Sequence, residues 1–390
     1  MKLSTHEMLT THSGSLPRPK AEREMVRARA RGTLEDPSAL EVATREAVAE
    51  VMRRQVEAGV SVVNDGEVGK VSFSGYLSDR LSGFGTVEVS EPYRNDRGRG
   101  ESQSFPEYYS SRGAYELHQR RAACVGPIEW KDFGAVVTDI RNVKDAANQS
   151  TPVELFLSAT SPGDSLRKTI NLHYKTDEEY LQAVADALKL EYEAIVAAGI
   201  VLQVDCPDFT VGKPAGDRGV RRSLEDFRKE LARSVEALNY ATRDIPPEMM
   251  RIHVCLGHSE APHSASEEPS LRDLIDLFLS VRPAGLGLVG ANGSRAHEWQ
   301  VWQDVRLPEG KVVIPGVVDS TTNIIEHPDT VAERIVRYAG VLGRENVIAG
   351  VDCGFQSIVD TNNVDPMIAW AKLEALAEGA RRATRELWKS

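Results

Sequence analysis

The chain has 390 residues, 41% hydrophobic and 27% charged, enough for a large buried core built either as two ordinary domains or as one large α/β barrel. Its formal charge of -11 and the lack of a long Lys/Arg run argue against nucleic acid as a main partner. No apolar run approaches 18 residues and the stretch "MKLSTHEMLT" lacks the apolar core of a secretory signal, so no membrane contact is expected and the cytoplasm is the default location.

In chain order, short β-type runs begin with "LTTHSGSLP" and "SVVNDGE" and continue with "VELFLSATSP", "IVLQVDCPD", "RIHVCLG", "GLGLVGANG", "VVIPGVVDS" and "NVIAGVDCG", giving eight candidate strands. Helical stretches lie between them. Residues 176–199 open on Thr176 with acids in the first turn and stop at Gly199, while 326–343 carry Pro328 near the start and Gly343 at the end. Alternating β and α elements predict a parallel sheet, and eight of them predict a (β/α)8 barrel, here a single domain over 1–390. The polar, Arg-, Tyr- and Ser-rich span from 85 to about 150 breaks the rhythm and reads as an insertion, either folded over the barrel mouth or a surface loop.

Reactive side chains gather at the strand ends: Ser13 and Ser15, Asp65 and Glu67, Ser161, Asp205, Cys255, Asn292, Asp319 and Cys353. Strand ends of a parallel barrel share one face, where such folds hold their chemistry, although any single Ser or Asp there also serves as a helix cap. His253 and Cys255 are two apart in a strand and so point the same way, and Cys353 ends another strand. Three ligands from two distant strands leave one coordination position free, which is the pattern of a catalytic rather than a structural metal. The alternative is a core histidine with buried thiols. Four cysteines, Cys124, Cys206, Cys255 and Cys353, are in any case too few and too dispersed for a disulfide framework. Cys206 follows Asp205 and is expected to face the opposite way, behind the barrel wall.

The motifs "TTHSGSLPRP", "NDGEVGKVSFSGYLSDRLSGF", "LQVDCPDF", "IHVCLGH", "PGVVDSTTN" and "GVDCGF" occur in this order from residue 10 to about 357, and as a set the chain resembles the cobalamin-independent methionine synthase family, in its short single-barrel form. The resemblance implies a catalytic Zn2+ held by His253, Cys255 and Cys353, at which a thiol substrate is held as thiolate and takes up an alkyl group. It also implies that Gly14 and Ser15, with Ser13 beside them, hold an amino-acid thiol, and that Glu67 and Asp205 grip its ammonium. The expected partners are therefore a small-molecule thiol and an alkyl donor; a homodimer is expected only from the size class.

The sequence departs from that pattern twice. Where the family places a fourth zinc-ligating Glu, this chain has Val289 or Gly290, leaving open three protein ligands plus water or substrate, or a substitute in Asn292 or Glu298. Where the family has a His after the strand-end acid, Asp319 is followed by Thr321, whose hydroxyl is no proton donor at neutral pH. Asp319, a water, or His297 in "RAHEW" then remain as sources of an acid, and His258 and His263 are further imidazoles nearby in sequence. His12 reads as a substrate contact or, more plainly, as a cap. These losses raise a second reading, a lyase similar to the epoxyalkane:coenzyme M transferases, in which Arg18 or an arginine of the 94–121 stretch would recognise a sulfonate. A zinc-storage barrel and a metal-free decarboxylase of uroporphyrinogen type are weaker readings, since the latter leaves the H-x-C and Cys353 unexplained.

Overall fold

Seven short apolar runs pair side by side into one curled parallel sheet. They are β1 (Val62–Val63), β4 (Glu154–Thr160), β6 (Val201–Asp205), β7 (Met250–Val254), β8 (Gly285–Leu288), β9 (Val312–Val318) and β10 (Gly350–Val351), hydrogen-bonded in that order. In this computed structural model the described residues are 1–72, 75–94, 105–110, 117–210, 223–255, 269–359 and 364–389. Every residue of β6, β7, β8 and β9 is buried, as expected where helices cover a sheet whose strands read as continuous rather than alternating apolar runs.

The first expected strand takes a different form. "LTTHSGSLP" contributes only two isolated parallel bridges, Thr10 to Ala349 and Thr11 to Val62, yet these join the segment to both outer strands of the sheet. Its backbone is tied in by Thr11 N to Ala349 O, Val62 N to Thr10 O and Ala349 N to Leu9 O, each 2.9 Å. Gly14 ends the extended run at a φ of 125°, and Pro17 follows.

The helices carry the caps their sequences advertise. Thr176 accepts from Glu179 N at the head of Asp177–Ala197, and His327 from Asp329 N at the head of Pro328–Leu342, which ends at Gly343 with a φ of 86°. Ser270 and Asp273 form a capping box on Leu271–Leu279. Their apolar faces meet the sheet in one large core that includes Met52, Tyr180, Leu188, Tyr192, Leu202, Phe209 and Leu286. Among the described residues no helix is long and apolar enough to cross a membrane.

The span expected to be one insertion from 85 to about 150 consists of two parts. Its first part forms an antiparallel pair, β2 (Phe84–Arg94) and β3 (Leu117–Cys124), extended by β5 (Ile170–Asn171) into a small second sheet. Its last part, Gly134–Ser150, is an ordinary sheet-covering helix that buries Val136, Val143 and Ala146 and packs on the helix Pro37–Glu57. Polar composition hid this helix, because only four of its residues are buried.

Glu22, in the helix Lys20–Ala30, is 2% exposed and neither carboxylate oxygen has a hydrogen-bond partner. Burial pushes its pKa up to about 7, against the pull of Arg18 and Arg29. An acid whose folded pKa is raised adds stability that is complete below its unfolded pKa of 4.5 and is lost as pH rises through about 7. Urea unfolding of the wild type is therefore expected to weaken between pH 5 and 8, and Glu22→Gln to remove up to about 3 kcal/mol of that fall. An unchanged pH slope in the variant would remove Glu22 from this account.

Candidate functional site

His253 and Cys255 lie at the carboxyl end of β7 and Cys353 follows β10, so the curl of the sheet brings the three together. Their donor atoms all lie within 4.8 Å of one another. His253 Nε2 is 3.3 Å from Cys353 Sγ, which is 2.8 Å from Cys255 Sγ, and neither cysteine is part of a disulfide among the described residues. His253 and Cys353 are each 6% exposed, whereas Cys255 is half-buried. Burial, reinforced by the neighbouring Cys255, pushes the Cys353 thiol well above its usual pKa. Two thiols and an imidazole this close together make a poor hydrophobic contact, but they are a donor set suited to zinc. On that chemistry the residues fit a zinc ion.

Around the cluster the structure places most of the other strand-end residues. Ser13 Oγ donates to Val351 O at 2.8 Å, and Phe355 N donates to Ser15 O at 2.8 Å, which seats the "SGS" turn against the strand that carries Cys353. Gly14 closes that turn against Glu67, where a Cβ would collide with Glu67 Oε1. His12 Nδ1 accepts from Gly14 N at 3.2 Å while Nε2 meets Gln55 Oε1 at 2.7 Å, so His12 is a buried cap of the turn rather than a substrate contact. Burial holds it neutral, with its pKa lowered to about 3.

Glu67 sits at a φ of 55°, a conformation a non-glycine residue adopts at a cost, and is 3% exposed. Asp205, which closes β6, pairs across the sheet with His253 and is 6% exposed. Burial raises the pKa of both acids; the charge of Glu67 adds to the rise at Asp205, and that of Asp65 to the rise at Glu67. Lys70 partly offsets Glu67 and donates to Ser158 O at 2.9 Å. Two buried acids that repel one another are the natural counterpart of a cation.

On the far side, Asp352 Oδ1 accepts from Gly290 N and Ala291 N at 2.8 Å and its Oδ2 from Asn292 N at 2.6 Å, pinning the turn after β8. Asn292 Nδ2 then lies 3.4 Å from both Asp319 Oδ2 and Thr321 Oγ1. Asp319 Oδ1 accepts from Thr321 N at 2.7 Å and Thr321 Oγ1 at 2.8 Å, so the threonine donates to the acid beside it. Gly290 leaves no room for a side chain, since a Cβ would meet Tyr338 Oη at 2.7 Å and Gly316 O at 2.9 Å. Glu298 turns inward, accepting from Leu271 N at 2.7 Å and Arg295 Nη1 at 2.8 Å, and among the described residues no carboxylate joins the cluster.

His297 is exposed at the head of the turn Glu298–Gln300, whose next residue, Glu298, is buried. One expectation is corrected. Arg18 is 5% exposed and spends its guanidinium on the carbonyls of Val68, Gln356, Glu67 and Lys70, so it is a clamp on the loops rather than a receptor for a sulfonate. Cys206 packs fully buried in the core. His258 and His263 lie outside the described residues. Sequence reasoning passed over Gln203, Ser158 and Arg251, whose only signal is a spacing of two from Asp205 and His253, or a place early in the same strand-end run as Ser161.

No protein-family model matches the chain. It is 25% identical over 97% of its length to a methionine synthase of Sulfolobus acidocaldarius, covering 93% of that protein, and 23% identical over the same share to one of Thermococcus kodakarensis, covering 94%. Among solved structures it superimposes on a B12-independent methionine synthase from Shewanella sp. W3-18-1, solved with selenomethionine, with a TM-score of 0.72 and 19% identity over 98% of this chain and 99% of that one. A Listeria monocytogenes protein described as a B12-independent methionine synthase aligns over both full lengths with a TM-score of 0.63 and 14% identity. The resemblance read from the motifs, to the cobalamin-independent methionine synthase family, thus extends over essentially the whole chain, in sequence and in fold.

Proposed function

We propose that the protein is a zinc-dependent methyltransferase that methylates the thiol of homocysteine or a closely related amino-acid thiol. The carrying observation is the convergence of His253, Cys255 and Cys353 donor atoms within 4.8 Å. On this reading those three residues hold the metal, which when bound keeps a substrate thiol deprotonated at neutral pH. Glu67 and Asp205 receive the substrate ammonium, replacing mutual repulsion with charge-assisted hydrogen bonds. The Ser13–Gly14–Ser15 turn lies beside Cys353 and receives the carboxylate end. The selenomethionine bound to the Shewanella protein, a selenium analogue of methylated homocysteine, agrees with this assignment.

The sheet with residues 10–11 as its eighth stave is then a closed (β/α)8 barrel forming one domain, with its chemistry at the carboxyl ends of the strands. Asn292, Asp319 and Thr321, gathered beside Asp352 and so next to the segment that carries Cys353, face the methyl donor on this reading. Thr321 cannot protonate a departing amine, so any proton passes by way of Asp319 or a water, and the donor is a folate, a corrinoid or a small methylated compound. The commitment of Arg18 to four backbone carbonyls removes one of the two anchors expected for the sulfonate-recognising lyase reading and leaves that role to an arginine of the 94–121 stretch.

The test is X-ray absorption on the zinc-loaded protein with homocysteine or coenzyme M, paired with an assay for methionine over a panel of methyl donors. One additional sulfur at the metal with homocysteine alone, and methionine formed from one donor, is the expected result. A response to coenzyme M alone, with no methionine from any donor, would overturn it.

A further inference from the structure

Beneath the ammonium-binding acids lies a fully buried arginine that no substrate role accounts for. Arg251 is 1% exposed, two residues before His253 on the same face of β7, and Gln203 stands opposite it on β6, two residues before Asp205. Arg251 Nε donates to Gln203 Oε1 at 2.9 Å, Nη1 to Thr11 Oγ1 at 3.0 Å and Nη2 to His12 O at 3.2 Å, and the guanidinium lies 3.7 Å from the centre of the Phe156 ring. Among the described residues no carboxylate reaches it in a direct ion pair, and the charges of Glu154 and Asp205 act on it from further off.

The orientation of Gln203 follows from which groups can donate. A guanidinium offers only N–H, so Gln203 must present its oxygen to Arg251, and the planar amide then aims Nε2 upward. That nitrogen donates to Asp205 Oδ1 at 2.8 Å and Ser13 O at 2.8 Å, and lies 3.3 Å from Ser158 Oγ, which in turn hydrogen-bonds Glu67. One amide therefore touches, directly or through one hydroxyl, both acids and the "SGS" turn.

We propose that Arg251 is a positioning residue that fixes the orientation of the Gln203 amide, and that this pair sets the selectivity of the site for thiols bearing an α-amino group. The inference rests on the reading of Glu67 and Asp205 as the ammonium-binding acids and deepens it. Without Arg251 the amide is free to turn its oxygen toward Asp205, where it would repel the carboxylate and displace it from the ammonium position.

The experiment compares binding of L-homocysteine with its des-amino analogue, 4-mercaptobutanoate, to the zinc-loaded full-length protein by calorimetry, with metal content measured on each sample. Wild type is expected to prefer homocysteine. Arg251→Met and the volume-matched Gln203→Met should each narrow that preference by about 10-fold with zinc retained, and Arg251→Lys, which keeps a donor beneath Gln203, should restore most of it. If Arg251→Met does not fold, Gln203→Met decides. Variants that fold, hold zinc and keep the wild-type preference overturn the relay alone. A wild type that binds both thiols equally overturns the ammonium reading and the relay with it.

Discussion

Cys353→Ser is expected to lose its zinc to a mild chelator and to lower methyl transfer by more than about 1,000-fold, because a hydroxyl is a far weaker ligand than a thiolate and the remaining pair cannot hold the ion. Cys255→Ser should do the same, and either change should abolish the extra thermal stability that zinc confers on the wild type by mass action. Both cysteines lie just beyond the ends of strands of one sheet rather than within them, so the loss should not propagate into the fold; far-ultraviolet circular dichroism should be unchanged. Elemental analysis separates the outcomes. About one zinc per chain retained by Cys353→Ser under conditions that keep it in wild type would remove the three-ligand site and everything built on it.

Asp205→Asn is expected to raise the KM for homocysteine by about 10- to 100-fold, the loss of one charge-assisted hydrogen bond worth roughly 1.5–3 kcal/mol. Binding of the des-amino thiol should change little, since it brings no ammonium to the position. Glu67→Gln should have a smaller effect, because Lys70 is the main charge balancing Glu67 but only a minor one for Asp205, which lies on the strand beside His253. Steady-state kinetics with both thiols separate the cases. Equal losses for homocysteine and the des-amino thiol would mean that the acids shape the pocket without gripping the amine.

Much of this was legible beforehand for one reason: a parallel sheet writes its strands as short apolar runs with the reactive residue last. "IVLQVDCPD" and "RIHVCLG" became β6 and β7 with Asp205 and His253 side by side. The N-terminal run was legible as a stave but not as an irregular one, because the turn at Gly14 depends on contact with Glu67, which is distant in sequence. The inward turn of Glu298 was not legible either, because its ion pair with Arg295 forms only in three dimensions. Arg251 was hidden as well. A charged residue at the start of a strand reads as exposed, and only the curl of the sheet reveals that its side chain spans the interior to Thr11.

The crowding at Gly290 has a bearing on redesign. An acid introduced at that place would meet Tyr338 Oη at 2.7 Å and the backbone carbonyl of Gly316 at 2.9 Å, and only the first of these yields to a smaller side chain. Cutting back Tyr338 therefore does not by itself open position 290 to a carboxylate, because the main chain of β9 at Gly316 still crowds it.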